Sequence, residues 1–263
     1  MSKRRQSLLE SVIEEYLRSG EPIGSQTLKA LGNFSISSAT IRNHFKVMMD
    51  MGLLSQPHIS SGRIPTAIAL KDYWRSHLEL GSCKKLDDLN QLQKISQEIG
   101  CFASYLYLEE LRLQEVQSYE EKFLILKFSE ESEVILRYST HLARFLNDLV
   151  GMSLEDIQSF SHQVCATELL KTLKSISQKN TFYGAKFLAS FMEENRGEKL
   201  FFEMIEGKIF SRLSNGIYFE DVLPKGYVLF IQDVLIEGKR ARVLFCGALE
   251  CNYLKTTSIW KGE

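Results

Sequence analysis

Residues 37–66 read SSATIRNHFKVMMDMGLLSQPHISSGRIPT, and the fold of the N-terminal part turns on how that run is parsed. Ser37 stands where a side-chain oxygen can satisfy an unpaired backbone amide at a helix start, with Ile36 before it and Ile41 after it as a hydrophobic staple. On a wheel of about 100° per residue, Ile41, Phe45, Met48 and Gly52 share one side. Ala39, Asn43, Lys46 and Asp50 lie opposite, with Thr40 and Arg42 on the flanks. One face is built to pack and the other is free to touch something. Gly52 ends the helix. Leu53-Leu54 and Ile64 then flank Gln-Pro-His-Ile-Ser-Ser-Gly-Arg, in which Gly62 is expected to supply the positive φ of a hairpin turn.

Outward from that run, Leu8, Leu9, Val12, Ile13, Tyr16 and Leu17 recur at helical spacing and predict an amphipathic helix over 4–19, stopped by Gly20. Residues 25–31 predict a short second helix with Ser25 as N-cap and Gly32 as its stop. Helix, turn, short helix, third helix and a basic-tipped hairpin describe a winged helix-turn-helix, in which the third helix enters the major groove and the hairpin lies on neighbouring phosphates. The side chains suit that task. Small Ser38, Ala39 and Thr40 permit close approach, Asn43 can pair bidentately with adenine, Arg42 with guanine or phosphate, and Lys46 and Arg63 bring phosphate charge. A solvated helix face or a protein-binding module carries a similar pattern. His44, His58 and the methionines at 48, 49 and 51 are weak signals taken singly.

The chain has 263 residues, 44% hydrophobic and 25% charged, which suits a folded protein with room for two domains. Net charge is −1, but residues 1–80 hold ten Lys/Arg against seven Asp/Glu while the rest hold 22 against 26. No apolar run approaches the roughly 18 residues of a membrane span, and the N-terminus is not a signal peptide, so a cytoplasmic protein is expected. Cys83, Cys101, Cys165, Cys246 and Cys251 form no CxxC, which predicts reduced thiols and neither a zinc site nor a disulfide framework. His162 and Cys165 alone are a poor metal pair, and Cys165 reads as a buried thiol.

The words EPIGSQTL, SSATIRN, GLLSQPHISSGRIPT and DYW closely resemble the N-terminal signature of the bacterial HrcA family of heat-inducible transcription repressors, across about the first quarter of the chain. The resemblance implies a homodimer that binds double-stranded DNA at an inverted-repeat operator upstream of chaperone genes, its active form maintained by the GroEL-type chaperonin. It implies Ser38, Thr40, Arg42 and Asn43 as recognition-helix contacts, and His58, Ser60, Ser61 and Arg63 as wing contacts. Ser61 departs from the usual Ala, and Ala67 to Leu70 from a more polar helix start.

Residues 66–80 predict a helix begun by Thr66, leading into a linker at 81–85. From Leu86 the spacing of Leu89, Leu92, Ile95, Ile99 and Phe102 predicts a helix, then strands at 103–108, 112–119, 122–128 and 133–138. A helix over 142–150 closes at Gly151, and Ser153 with Asp156 reads as a capping box opening another. Helical segments are expected to about Glu206. Three β runs, at 216–223, 227–236 and 241–249, are joined by Pro224-Lys-Gly226 and Glu237-Gly-Lys as an antiparallel meander.

The expected fold class is α+β. A winged helix-turn-helix over 1–80 precedes a GAF-like regulatory and dimerisation domain over 81–263, as in the family. Residues 163–198 are the expected remnant of a reduced inserted dimerisation subdomain. In FCGALECNY, Gly247 and Tyr253 fit the family's ending, while its Pro, Thr and Arg are missing. No phosphate loop, G-x-S-x-G or H-E-x-x-H is present, so no enzyme and no cofactor is expected. Two rival readings are a small molecule bound in the GAF-like domain and an enzyme carrying a nucleic-acid-targeting module. A co-repressor is left open as a further partner.

Overall fold

The computed structural model describes residues 2–31, 34–80, 83–108, 110–129, 132–163, 167–175, 180–193 and 197–260. Gly32, Gly81 and Cys165, singled out in the sequence, lie outside these. The described residues form a mixed α+β structure that divides into two compact units, 1–106 with 181–263, and 107–180.

The first unit opens with α1 (Lys3–Ser19), α2 (Ser25–Ala30) and α3 (Ser38–Asp50), then the ribbon of β1 (Leu54–Ser55) and β2 (Ile64–Pro65), then α4 (Ala67–His77). Each start and stop has a local cause. Gly20 takes φ +72° and returns its N–H to the Tyr16 carbonyl, closing α1. Gly24 rather than Ser25 occupies the N-cap of α2, directly after Ile23 is tied to Arg63 in an isolated bridge. Ser37 accepts from the Thr40 amide at the start of α3, and Thr66 from the Ala69 amide at the start of α4. Leu8, Val12, Leu28, Ile41, Phe45, Met48 and Leu70 are buried and make the core of this part.

Residues 84–86 form β3 (Lys84–Leu86), followed by α5 (Asn90–Ile99) and β4 (Phe102–Tyr107). A linker and the first turn of a helix were expected at 84–89. Leu86 is instead buried in a parallel ladder with Val234, Leu235 and Ile236, and that pairing outweighs the helical spacing.

The second unit contains β5 (Glu115–Tyr119), β6 (Phe123–Ser129), β7 (Ser132–Arg137), α6 (Thr140–Asp148), α7 (Leu154–Gln163) and α8 (Thr167–Ser175). The strands form an antiparallel sheet in the order β5-β6-β7. Leu124, Leu126, Phe128, Val134 and Leu136 project from one face onto Leu146, Leu149, Ile157, Leu169 and Leu173 of the helices. Tyr119, Phe123 and Ile135 on the other face are exposed. Ser153 caps α7 by accepting from the Asp156 amide at 3.1 Å, and its hydroxyl donates to the Asp156 carboxylate at 2.7 Å. The cap forms, but the carboxylate takes the hydroxyl in place of the Ser153 backbone N–H that the expected capping box would use. The stretch 163–198, expected as an inserted remnant, straddles the boundary of this unit. The contacts divide the chain near 106 and 180.

The chain returns to the first unit through β8 (Thr181–Tyr183), a 3₁₀ segment (Ala185–Glu193), α9 (Gly197–Ile205) and α10 (Ile209–Arg212). Purely helical structure was expected here. The short β8 interrupts it because it pairs with the edge of β4 at Ala103, Ser104 and Tyr105. Then come β9 (Gly216–Tyr218), β10 (Tyr227–Ile236), β11 (Lys239–Ala248) and a second 3₁₀ segment (Tyr253–Ile259). The sheet runs β3-β10-β11-β4-β8, with β9 also paired to β10. Leu229, Ile231, Leu244 and Cys246 face Phe191, Leu200, Met204 and Phe210, while Phe230 packs on Phe245 and Tyr253 on the opposite side. A sheet covered on both faces accounts for the nearly unbroken apolar run of β10. Gly247 has its own reason: a Cβ there would lie 2.7 Å from the Tyr253 hydroxyl, which donates to the Ala248 carbonyl at 3.0 Å. Among the described residues no helix is long and apolar enough to cross a membrane.

Candidate nucleic-acid interface

α3 is anchored by one face and bare on the other. Ile41, Phe45 and Met48 are buried, whereas Arg42, Asn43 and Lys46 are exposed. Asn43 and Lys46 make no side-chain hydrogen bond or ion pair among the described residues. Arg42 rests its Nε 3.4 Å from the Ser38 carbonyl and stays exposed. Ser38 and Thr40 are partly buried at the helix start, and the Thr40 hydroxyl is 2.9 Å from that of Ser37. Thr40 thus shares in the cap as well as standing at the edge of the free face.

The loop between β1 and β2 comes alongside that face through Arg63. Its Nε lies 3.0 Å from the Met49 sulfur, and Nη1 donates to the Ser61 carbonyl at 3.0 Å. Arg42, Lys46 and Met49 are spaced i, i+4, i+7, one stripe along the helix. The root of the loop therefore sits at the end of the stripe that carries the two cations. Two of the Arg63 guanidinium nitrogens are engaged, and Nη2 makes no hydrogen bond among the described residues. The Arg63 backbone exchanges two hydrogen bonds of 2.8 Å with Ile23, binding the loop to the turn between α1 and α2.

Gly62 is not the positive-φ residue that the sequence suggests; it is absent from the residues in that region of backbone space. What it supplies is room: an added Cβ would lie 2.5 Å from Pro22 backbone atoms and 2.6 Å from Ile23. Only glycine lets the two backbones come this close. Ser61 is used up within the loop. Its hydroxyl accepts from the His58 amide at 3.0 Å and donates to the His58 carbonyl at 2.8 Å. Gln56 Nε2 donates to the Ile59 and Ser61 carbonyls at 2.7 and 3.1 Å. His58 and Ser60 remain exposed at the tip, with Ile59 fully exposed between them.

Three features escaped the sequence reading: Gln56 as the loop's internal strut, Ile59 at its tip, and the distribution of acid. Between Glu21 and Asp72 the sole carboxylate is Asp50, against Lys29, Arg42, Lys46, Arg63 and Lys71. Of the acids in the first eighty residues, Glu10, Glu14 and Glu15 lie on α1 and Asp72 on α4, while Glu21 adjoins the turn that meets the loop and Asp50 is at the end of the free face of α3. That asymmetry is visible in the sequence once the count is taken over this window.

α4 links this part to the sheet within the first unit. Trp74 is fully buried, its indole N–H donates to the Leu249 carbonyl at 2.8 Å, and Lys71 pairs with Glu220 at 2.5 Å.

A solved crystal structure described only as a hypothetical protein shares this fold, with a TM-score of 0.60 and 19% identity over 98% of this chain and 94% of its own. Among curated proteins, the heat-inducible transcription repressor HrcA of Helicobacter pylori strain 26695 is 33% identical over 250 residues, 95% of this chain and 91% of the relative. That of Thermodesulfovibrio yellowstonii is 26% identical over 242 residues, 86% of this chain and 69% of the relative. The profile of the HrcA C-terminal domain matches residues 74–261. With a domain profile spanning most of its length and a relative one-third identical across nearly all of it, the chain belongs to the HrcA family of heat-inducible transcription repressors.

Proposed function

We propose that residues 1–80 form a winged helix-turn-helix that reads one arm of an inverted-repeat operator, and that a homodimer reads both. The observation that carries this reading is the bare Arg42-Asn43-Lys46 face of α3 lying beside a cation-bearing loop in a segment with a single carboxylate. Asn43 reads a base edge, Arg42 a base or phosphate, and Lys46 and Arg63 Nη2 hold phosphates. Ser38 and Thr40 let the helix start approach the groove, and His58 and Ser60 touch the backbone from the loop. Ser61 acts by shaping the loop, since its hydroxyl is already engaged.

A two-fold operator requires a two-fold protein. The sheet in the unit 107–180 offers a suitable surface. Tyr119, Phe123 and Ile135 are exposed on it, with Ile125 between them and Glu115, Lys127, Glu133 and Arg137 at the margins. Apolar residues flanked by both signs of charge suit a self-complementary pairing.

The remainder of the first unit is read as a GAF-like regulatory domain, through which a modest loss of stability on heating removes binding-competent protein. The GroEL-type chaperonin restores that population until unfolded clients occupy it. Footprinting the purified chain on regions upstream of chaperone genes tests the reading. Protection of two symmetric arms supports it, and no protection above that of random sequence rejects it. With about three or four phosphate contacts per protomer, log K against log salt should fall with a slope of about −5 to −7.

A further inference from the structure

Ile59 is the apolar side chain at the tip of the β1–β2 loop, and its exposure is complete at 100%. Single exposed apolar residues are common on protein surfaces, so exposure alone says little. Three other observations single this one out. Its backbone is held in place: Gln56 Nε2 fixes the Ile59 carbonyl at 2.7 Å, and the Ser61 amide closes a turn onto the His58 carbonyl at 2.9 Å. The loop is wedged at Gly62 against Pro22 and Ile23. The loop's own stretch of chain carries positive charge and no acid, with Arg63 bound to the Ser61 carbonyl and no Asp or Glu between Asp50 and Asp72, and Glu21, beside Pro22, is the carboxylate next to the wedge at its base. A rigid apolar point in a cationic frame fits a polyanion that has an apolar recess, not an apolar protein surface.

From this juxtaposition we infer that Ile59 enters the minor groove of the duplex beside the major groove read by α3, and favours A·T pairs there. The inference rests on the reading of α3 and the loop as a DNA-binding surface. Its chemistry is simple. Guanine carries an amino group into the minor groove, whereas an A·T pair presents only two acceptors and leaves the floor open. An isoleucine against that floor sheds water from its methyl groups, and an amino group in its path pushes it out.

The test uses the full chain and three duplexes: one carrying the inverted repeat it protects in footprinting, a scrambled one, and the repeat with 2,6-diaminopurine replacing the adenines under the loop. That base adds a minor-groove amino group and leaves the major-groove edge unchanged. The wild type should bind the modified repeat about tenfold more weakly, the scale expected for partial burial of an isoleucine. Ile59→Ser should lose a similar factor on the ordinary repeat and be indifferent to the modification. Its melting temperature should match the wild type, since the side chain packs against nothing. Wild-type affinity in Ile59→Ser, or undiminished sensitivity to the added amino group, overturns the inference. So does loss of self-association in place of DNA affinity. Asn43→Ala, run in parallel, separates the two levels. If it abolishes the preference for the repeat while Ile59→Ser does nothing, the helix reading stands and the minor-groove contact falls. If the wild type shows no preference for the repeat over the scrambled duplex, both fall.

Discussion

Gly62 illustrates how a single residue fixes the relation of loop to helix. The space for its Cβ is occupied by the Pro22 and Ile23 backbone, which no side-chain rotation can clear. Gly62→Ala should therefore push the loop off the α1–α2 turn and cost about 1 to 3 kcal/mol, the usual range for overpacking. Denaturant unfolding of the variant measures it, and an unchanged midpoint would show that the loop yields freely. Arg63 has a double role of a similar kind. Because its guanidinium also bonds Met49 and Ser61, Arg63→Ala should lower stability as well as affinity for every duplex. Lys46 is exposed and makes no side-chain hydrogen bond or ion pair among the described residues, so Lys46→Ala should leave the melting temperature unchanged and reduce the salt slope by about one.

At the scale of elements, caps and turns decide where structure begins. Ser37→Ala removes the oxygen that accepts from the Thr40 amide and should cost about 1 kcal/mol, read by chemical denaturation. The β10–β11 hairpin turns on Glu237 and Gly238, at φ +52° and +81°. Both central residues are left-handed, as a two-residue hairpin of that twist requires. Replacing Glu237 with Asn should raise stability by a few tenths of a kcal/mol, because Asn tolerates that region better. Such elements were legible because their signals are local: Gly20, Ser37, Ser153 and Glu237-Gly238 act within a few residues of themselves. Others were not, because their partners are distant in sequence. Leu86 becomes strand through Ile236, Thr181–Tyr183 through β4, and Gly62 is constrained by Pro22. The free face of α3 was readable from periodicity. That Ser61 is spent inside the loop, and that Arg63 leans on Met49, depended on coordinates.

For the whole molecule, the central claim is that one surface of the first eighty residues meets DNA and that pairing of two chains sets the operator's symmetry. Ile135 is 64% exposed on the sheet of the unit 107–180, so a charge there should disturb pairing without disturbing the fold. Ile135→Glu should sediment as a monomer and bind the two-armed repeat more weakly, while a persistent dimer would move the interface elsewhere. Heat can be followed through the thiols. Cys101 and Cys246 are buried, which pushes both well above the ordinary thiol range, whereas Cys83 is exposed. Alkylation read site by site should label Cys83 at once and the other two only as the sheet opens on warming. If operator binding is lost while Cys101 and Cys246 stay protected, unfolding of this sheet is not how heat acts. The most direct measurement is the affinity of Asn43→Ala beside Lys46→Ala on the protected repeat and on a scrambled duplex. The account requires Asn43→Ala to lose about 1 to 3 kcal/mol on the repeat and almost nothing on the scrambled duplex, with Lys46→Ala losing equally on both. Equal losses from Asn43→Ala on the two duplexes, or none on either, would contradict it.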